Sequence, residues 1–443
     1  MEAALTWSAL AVLAQALQPF TALPTGQPAP ALAPVDTGGA RIVAEGLRGA
    51  PVSGAVGESQ YVQVAAGMMT ILDKASGVAA GAPRPVSALY AAASDQRGMR
   101  ACAAQSGVPV SILYDHLARR WVIGYLAGGG AYLCLATSAG PNAAGRYQAR
   151  ALALQPPAAR HPVLAIWRDD LILSYDTRVC GIARTMTAAR NPVLQCRSLP
   201  RGGVVPASLQ PQAAVPAGTP ALLLALDASA AGWGNALTLW RYRPADNALS
   251  APLSIPVAPF RLACTACIAQ PYGGAALPAH GDRLAPGAVF DGQALLLNHT
   301  VAERDGRIGI RWYEIRAPYG AVQVYQQGGY APDAEQRWMG SIGIDKAGDI
   351  ALGYAVSSGA TASGVRYTGR LRTDPPGRLQ QEETIVNGSG AQSTADGLRV
   401  PAGALSLDPT DGCTFWYTQH YIQSSGAQAW QSRIASFRFR RCN

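Results

Sequence analysis

Along most of the chain, apolar and polar residues alternate with a period of two, in short runs that stop at Asp, Gly or Pro. The clearest case runs Ile342-Gly343-Ile344 into Asp345-Lys346-Ala347-Gly348-Asp349 and returns as Ile350-Ala351-Leu352-Gly353-Tyr354. The same pattern recurs at Ile71-Leu72-Asp73, at Ile112-Leu113-Tyr114-Asp115 followed by Trp121-Val122-Ile123, and at Leu405-Ser406-Leu407-Asp408 followed by Thr414-Phe415-Trp416-Tyr417. An Asp side chain accepts hydrogen bonds from backbone N–H groups two residues on, and Gly supplies positive φ, so each of these reads as a hairpin. Further alternating strands follow within units, among them Leu237-Thr238-Leu239-Trp240 and Ile310-Arg311-Trp312-Tyr313-Glu314-Ile315.

Units begin near Tyr61, Pro109, His161, Ala221, Arg283, Arg337 and Pro401, at intervals of about 50 to 65 residues, the scale of a four-stranded blade with long loops. No long stretch after residue 20 carries helical periodicity. One such unit cannot bury both of its faces, so units must stack, and closing the stack into a ring protects its ends. The expected fold is therefore all-β: a β-propeller of about seven four-stranded antiparallel blades around a central channel, with six or eight also within the spacing.

Composition agrees. The 48 glycines and 32 prolines break helix interiors. Hydrophobic residues make up 49% of the chain and charged residues only 14%, enough apolar surface for a large core. The net charge is +9, but its arginines are scattered, the one dense group being Arg438, Arg440 and Arg441. Alternation in Phe437-Arg438-Phe439-Arg440 would put both arginines on one solvated strand face, so nucleic acid is not an expected partner.

Residues 3–17 are almost wholly apolar, and Ala14-Gln15-Ala16 resembles a signal-peptidase site, although Glu2 stands where a leader usually carries Lys or Arg. The run is too short for a membrane span. The expected organisation is a signal peptide over residues 1–18, a Pro/Ala/Gly-rich linker over 19–57 and one propeller domain over 58–443, in a secreted or periplasmic monomer without a transmembrane span. Export favours disulfides among the eight cysteines. Sequential pairing is expected, Cys102 with Cys134, Cys180 with Cys196, Cys264 with Cys267 and Cys413 with Cys442, each bridge closing a loop inside one unit. Cys264-Thr265-Ala266-Cys267 lacks the βαβ setting of a redox motif and the second ligand pair of a zinc site, so it reads as a small structural loop.

On several segments the chain resembles a group of secreted bacterial proteins with a propeller fold and no established activity. These are residues 113–122, 255–260 and 298–301, and most strongly Arg311-Trp312-Tyr313-Glu314, Tyr330-Ala331-Pro332-Asp333, Arg337-Trp338-Met339-Gly340-Ser341 and Cys413-Thr414-Phe415-Trp416-Tyr417. The resemblance runs from about Pro109 onward and is densest after Ile255. It departs in the third unit, where the group has a longer acidic and aromatic segment ahead of the strand matching Val163-Leu164-Ala165-Ile166-Trp167. What it implies is the fold and export, and no reaction.

Candidate chemistry is sparse. His116, His161, His280, His299 and His420 lack the spacing of a zinc protease, and neither a phosphate loop nor a nucleophile elbow is present. Propellers bind ligands where inner strands begin. That rule selects Arg283 and Arg337, whose planar forks suit carboxylates, with Trp338 as a flat stacking face. Asn298 and His299 end an apolar strand, where His299 would be a general base if it faced the channel. Tyr354 and Trp416 complete the ligand-binding candidates. Trp312 and Tyr417 are further stacking surfaces. No catalytic residue is assigned and no cofactor is implied, plain turn chemistry accounting for the Asp repeats without calcium. The leading expectation is a binding protein for glycan or an extracellular protein. The alternatives are an extracellular hydrolase on glycans or anionic substrates, sialidase-like, which would need two acidic residues, or Tyr plus acid, converging with Arg in one channel-mouth pocket, and a structural or assembly protein. Tyr313 and Glu314, on opposite strand faces, cannot act together.

Overall fold

The computed structural model describes residues 32–443, apart from residue 50 and residues 94–96, 106–108, 187–192, 304, 395–402 and 428–429. The expected signal peptide lies outside the described residues. Seven antiparallel sheets form a ring, each with four principal strands in the order inner to outer. In chain order, blades 1 to 6 are built from residues 52–85, 110–153, 163–198, 205–261, 289–330 and 336–386. Blade 7 combines Ala404–Leu407, Phe415–Ile422 and Trp430–Phe437 with an outermost strand from the other end of the chain, Arg41–Glu45, paired antiparallel to Trp430–Phe437. The propeller is thus the fold that the spacing of the Asp turns predicts, and its blade count is seven.

The domain boundary is corrected by that last strand. Arg41–Glu45 and Val52–Val56 both fall in the stretch read as linker, yet one closes blade 7 and the other is the inner strand of blade 1. Pro and Gly around them masked two five-residue strands. At the other end, the last strand stops at Phe437, so Arg438 and Arg440 do not share a strand face; the chain turns there, and Arg440 N–H bonds the Asp36 carbonyl at 3.0 Å. A short helix, Arg97–Ala104, is the one α-helix among the described residues and fills the connection from blade 1 to blade 2.

The Asp turns work as expected. Asp345 Oδ1 accepts the N–H groups of Ala347 (2.9 Å) and Asp349 (3.0 Å), Asp115 Oδ1 those of Leu117 and Ala118, and Asp408 Oδ1 that of Thr410. Between blades, apolar side chains interdigitate. Leu133, Leu135, Leu164 and Ile166 join blades 2 and 3, while Tyr61 of blade 1 stacks on Trp416 of blade 7 at 5.3 Å. Some seams leave no room for a side chain: a Cβ on Gly353 of blade 6 would sit 2.6 Å from the Tyr417 ring of blade 7.

All four disulfides join the cysteines expected from sequential pairing. Cys102–Cys134 and Cys180–Cys196 each contain at least one fully buried cysteine, Cys264–Cys267 closes a small loop in the connection from blade 4 to blade 5, and Cys413–Cys442 ties the turn of blade 7 to the C-terminal segment over 29 residues. Closing a loop of that length restricts the unfolded chain, so the double variant Cys413→Ala/Cys442→Ala is expected to lose about 2 to 3 kcal/mol. Urea unfolding measures it; a loss within a few tenths of a kcal/mol would mean the staple is redundant with strand pairing.

Candidate functional site

Six of the seven ligand-binding candidates are buried, and the structure gives each a packing role. Arg337 stands second in the inner strand of blade 6, Gln336–Ile344, and its side chain is fully enclosed. Its five N–H donors meet five acceptors. Two bonds reach Glu382 (2.8 and 2.6 Å), two reach Asp333 (2.7 and 2.9 Å) and one reaches the Glu335 carbonyl (2.8 Å). Arg366 bridges Glu335 and Glu382, Tyr354 donates to Glu382 at 2.7 Å, and the Tyr330 ring of blade 5 lies over the Arg337 guanidinium. Burial opposes the charge on Arg337, yet the hydrogen bonds of Glu382 and Asp333 outweigh it and hold its pKa above the ordinary value. Glu382 is likewise penalised by burial and still held below the usual carboxylate range by Arg337.

This cluster has the composition a sialidase-like hydrolase would require: arginines, a tyrosine paired with a carboxylate, and a further acid. Its geometry excludes that use. A guanidinium has five donors, and all five of Arg337 are spent inside the protein, leaving none for a substrate carboxylate. Asp333, Glu335 and Glu382 are also the only His/Cys/Asp/Glu group among the described residues close enough to share a metal ion, but the two guanidinium groups already occupy the place between them.

Trp338 is covered. The long connection from blade 4 to blade 5 forms a hairpin, Ala266–Ile268 with Leu277–Pro278, whose Ile268, Leu277 and Ala279 bury Trp338 together with Met339, Ile422 and Trp430. Ala269 N–H bonds Gln336 Oε1 at 2.6 Å and Ser357 Oγ bonds the Ala269 carbonyl, so the hairpin is tied down over blade 6. His299 lies in the second strand of blade 5, stacked on Tyr313 with Nε2 3.0 Å from its hydroxyl and edge-on to Phe260. Burial, then the Arg311 charge, pushes its pKa down to about 3, so it is a neutral core residue and no exposed base. Asn298 is buried beside Gly340, and Trp416 donates to Asp408 while stacking on Tyr61. Tyr313 and Glu314 do point apart, the first to His299 and the second to Arg316 and Gln326.

Arg283 is different: its side chain is 30% exposed and its ion-pair partner is its own neighbour, Asp282, at the end of the ring where the inner strands begin. Three connections meet there. The link from blade 2 to blade 3 brings Arg160 and His161, the turn between Asp170–Tyr175 and Arg178–Ala183 of blade 3 brings Asp176, and the blade 4 to blade 5 connection brings His280, Asp282 and Arg283. His161 Nδ1 stands 3.9 Å from Asp176 Oδ1, and Arg160 N–H bonds Asp176 Oδ2 at 3.0 Å. Gly203, in the next connection, lies against the Arg283 side chain. Both imidazoles are held below their ordinary pKa, by partial burial first and by the Arg283 charge next.

His161, Asp176 and His280 all have positive φ, 53°, 41° and 48°. Residues other than Gly pay to adopt this backbone, and the cost is borne where surrounding structure enforces it. The sequence rule that selected Arg283 and Arg337, position just ahead of an inner strand, would also have selected His161, which precedes Val163–Ile166 by two residues. Asp176 carries no such mark.

No family model matches the chain, and no curated protein sequence does. Among solved structures, the chain is similar to the WD40 domain of SCAP from fission yeast, with 8% identity, a TM-score of 0.38, and 90% of this chain and 98% of that one covered. It is also similar to hydrazine synthase from Kuenenia stuttgartiensis (10% identity, TM-score 0.36, 86% and 78% covered) and to a protein of unknown function from Desulfotomaculum acetoxidans DSM 771 (11%, 0.35, 73% and 78%).

Proposed function

We propose that the protein is an exported binding protein that uses the ring as a rigid mount and takes a glycan or protein ligand, without catalysis, at the end where Arg283 stands. The observation that carries this reading is the meeting of His161, Asp176, His280, Asp282 and Arg283 from three separate connections, exposed to solvent, while the other candidates are enclosed. Polar side chains held by rigid strands but presented on loops are the usual make-up of a recognition site. Four disulfides and an apolar N-terminal run support a place outside the cytoplasm.

The test is calorimetric titration against a panel of soluble envelope glycans, with Arg283→Ala alongside the parent chain. Because Arg283 makes its ion pair at the surface, the variant is expected to keep its thermal stability and lose tenfold or more in affinity. Equal affinity in the two proteins would remove Arg283 from the site and the reading with it.

A further inference from the structure

We infer that the ligand of this mouth is a carboxylate-bearing glycan, and that it is captured together with protons taken up by His161 and His280. The inference rests on the binding reading above and adds the ligand's charge and the pH dependence of its capture.

The charges that face the two imidazoles can be counted. Around His161 stand Arg160, Asp176, Asp282 and Arg283; around His280 stand Asp282, Arg283 and His161. With both rings neutral, two guanidinium groups oppose two carboxylates and the mouth carries no net charge. With both protonated it carries two positive charges, next to an Arg283 whose guanidinium partner, Asp282, is itself more than half exposed. Arg283 and burial resist that protonation in the empty mouth. A bound carboxylate offsets Arg283 and pairs with the imidazolium groups, so it favours their protonated forms. Linkage then requires the converse: protonation strengthens carboxylate binding by the same factor.

The sugar part follows from the rim. Ala263 packs against Gly281, which brings the start of the blade 4 to blade 5 connection beside Asp282. Two residues earlier, Arg261 lies over the ring of Trp233, which is 54% exposed at the first position of its strand. An exposed indole presents a flat apolar face to a pyranose ring, and an arginine beside it adds a second fork for carboxylates. The left-handed backbone at His161 and His280 fixes where both imidazoles project.

The experiment uses the full chain, with a galacturonate oligosaccharide as probe, its methyl ester as the uncharged control and a glutamate oligomer as the acidic-protein control. Titrations at constant salt compare pH 7.5 with pH 5, where the sugar carboxylate is still ionised. Binding of the galacturonate is expected to tighten by tenfold or more at the lower pH, each raised imidazole pKa unit contributing a factor of ten. The double variant His161→Asn/His280→Asn, chosen because Asn tolerates left-handed backbone, is expected to bind galacturonate equally at pH 7.5 and pH 5, losing the gain. Binding that is flat with pH, or a gain that survives in the double variant, overturns the proton coupling. Equal binding of the methyl ester or of the glutamate oligomer overturns the glycan carboxylate. No binding of any probe at either pH, in a chain whose thermal unfolding is normal, overturns the mouth as a binding site.

Discussion

Arg337→Met is expected to cost the protein about 3 to 5 kcal/mol, because it strands Glu382 and Asp333 as buried or half-buried carboxylates without their guanidinium. The loss should appear as a lower urea midpoint with an unchanged slope, since the same surface is exposed on unfolding. The seam between blades 5 and 6 concentrates charged and polar groups: Glu314, Gln326 and Tyr330 face Arg337, Tyr354, Arg370 and Glu382. Such a network is satisfied only as a whole. A second variant, Arg337→Met/Glu382→Met, removes charge on both sides and is expected to recover part of the loss. If Arg337→Met alone unfolds with a change below 1 kcal/mol, the cluster is not what holds this seam.

Stability should also fall on acidification, and five groups with large shifts contribute to this alongside His161 and His280, which burial also holds below their ordinary value. His299 is held at a pKa of about 3, and His116 and His420 at about 4, each chiefly by burial. All lie below the unfolded value of about 6.5, so around pH 5 the unfolded state binds close to three more protons than the native state at these sites and stability falls as pH falls. Asp345, raised to about 7, and Asp170, raised to about 6, again chiefly by burial, act in the opposite sense, because the native state holds their protons when the unfolded state has released them. Among these five groups, three minus two leaves about one proton, worth about 1.4 kcal/mol per pH unit, and His161 and His280 add to it with the same sign. Asp345 Oδ2 is enclosed without a hydrogen-bond partner, so Asp345→Asn keeps the turn acceptor and removes one of the two opposing groups. The slope is then expected to steepen by about 1.4 kcal/mol per pH unit. Unfolding midpoints at pH 6, 5 and 4 check this, and an unchanged slope in the variant would place Asp345 outside the balance.

The blades were legible because each carries its own instructions. Ile342 to Tyr354 specifies a hairpin through alternation and one Asp turn, and nothing beyond those residues is needed to read it. The sequential disulfides followed for the same reason, as each joins cysteines within 32 residues. What could not be read depends on distant partners. Position alone made Arg337 a ligand candidate, while the residue that claims it, Glu382, lies 45 residues away on an outer edge. Arg41–Glu45 has ordinary strand character, but its partner strand is at the far end of the chain. The mouth is the strongest example: His161, Asp176 and Arg283 become neighbours only when three blades are arranged around an axis, and no spacing along the chain announces that.

The closing strand also sets an order of events during biosynthesis. Arg41–Glu45 is made before any blade, yet Ile42 pairs with Ala435 and Glu45 with Arg433, which are made after the first six blades. Until blade 7 has been made, the early segment has no edge to join and blade 1 has no neighbour on its Tyr61 side, where Trp416 will stack. The nascent polypeptide therefore passes through a long interval with two unmatched flanks and its highest-separation contacts unmade, a slow topology open to association with other incomplete chains. Sealing the circle is the final step, and it is the one on which the cell's folding helpers would have to wait.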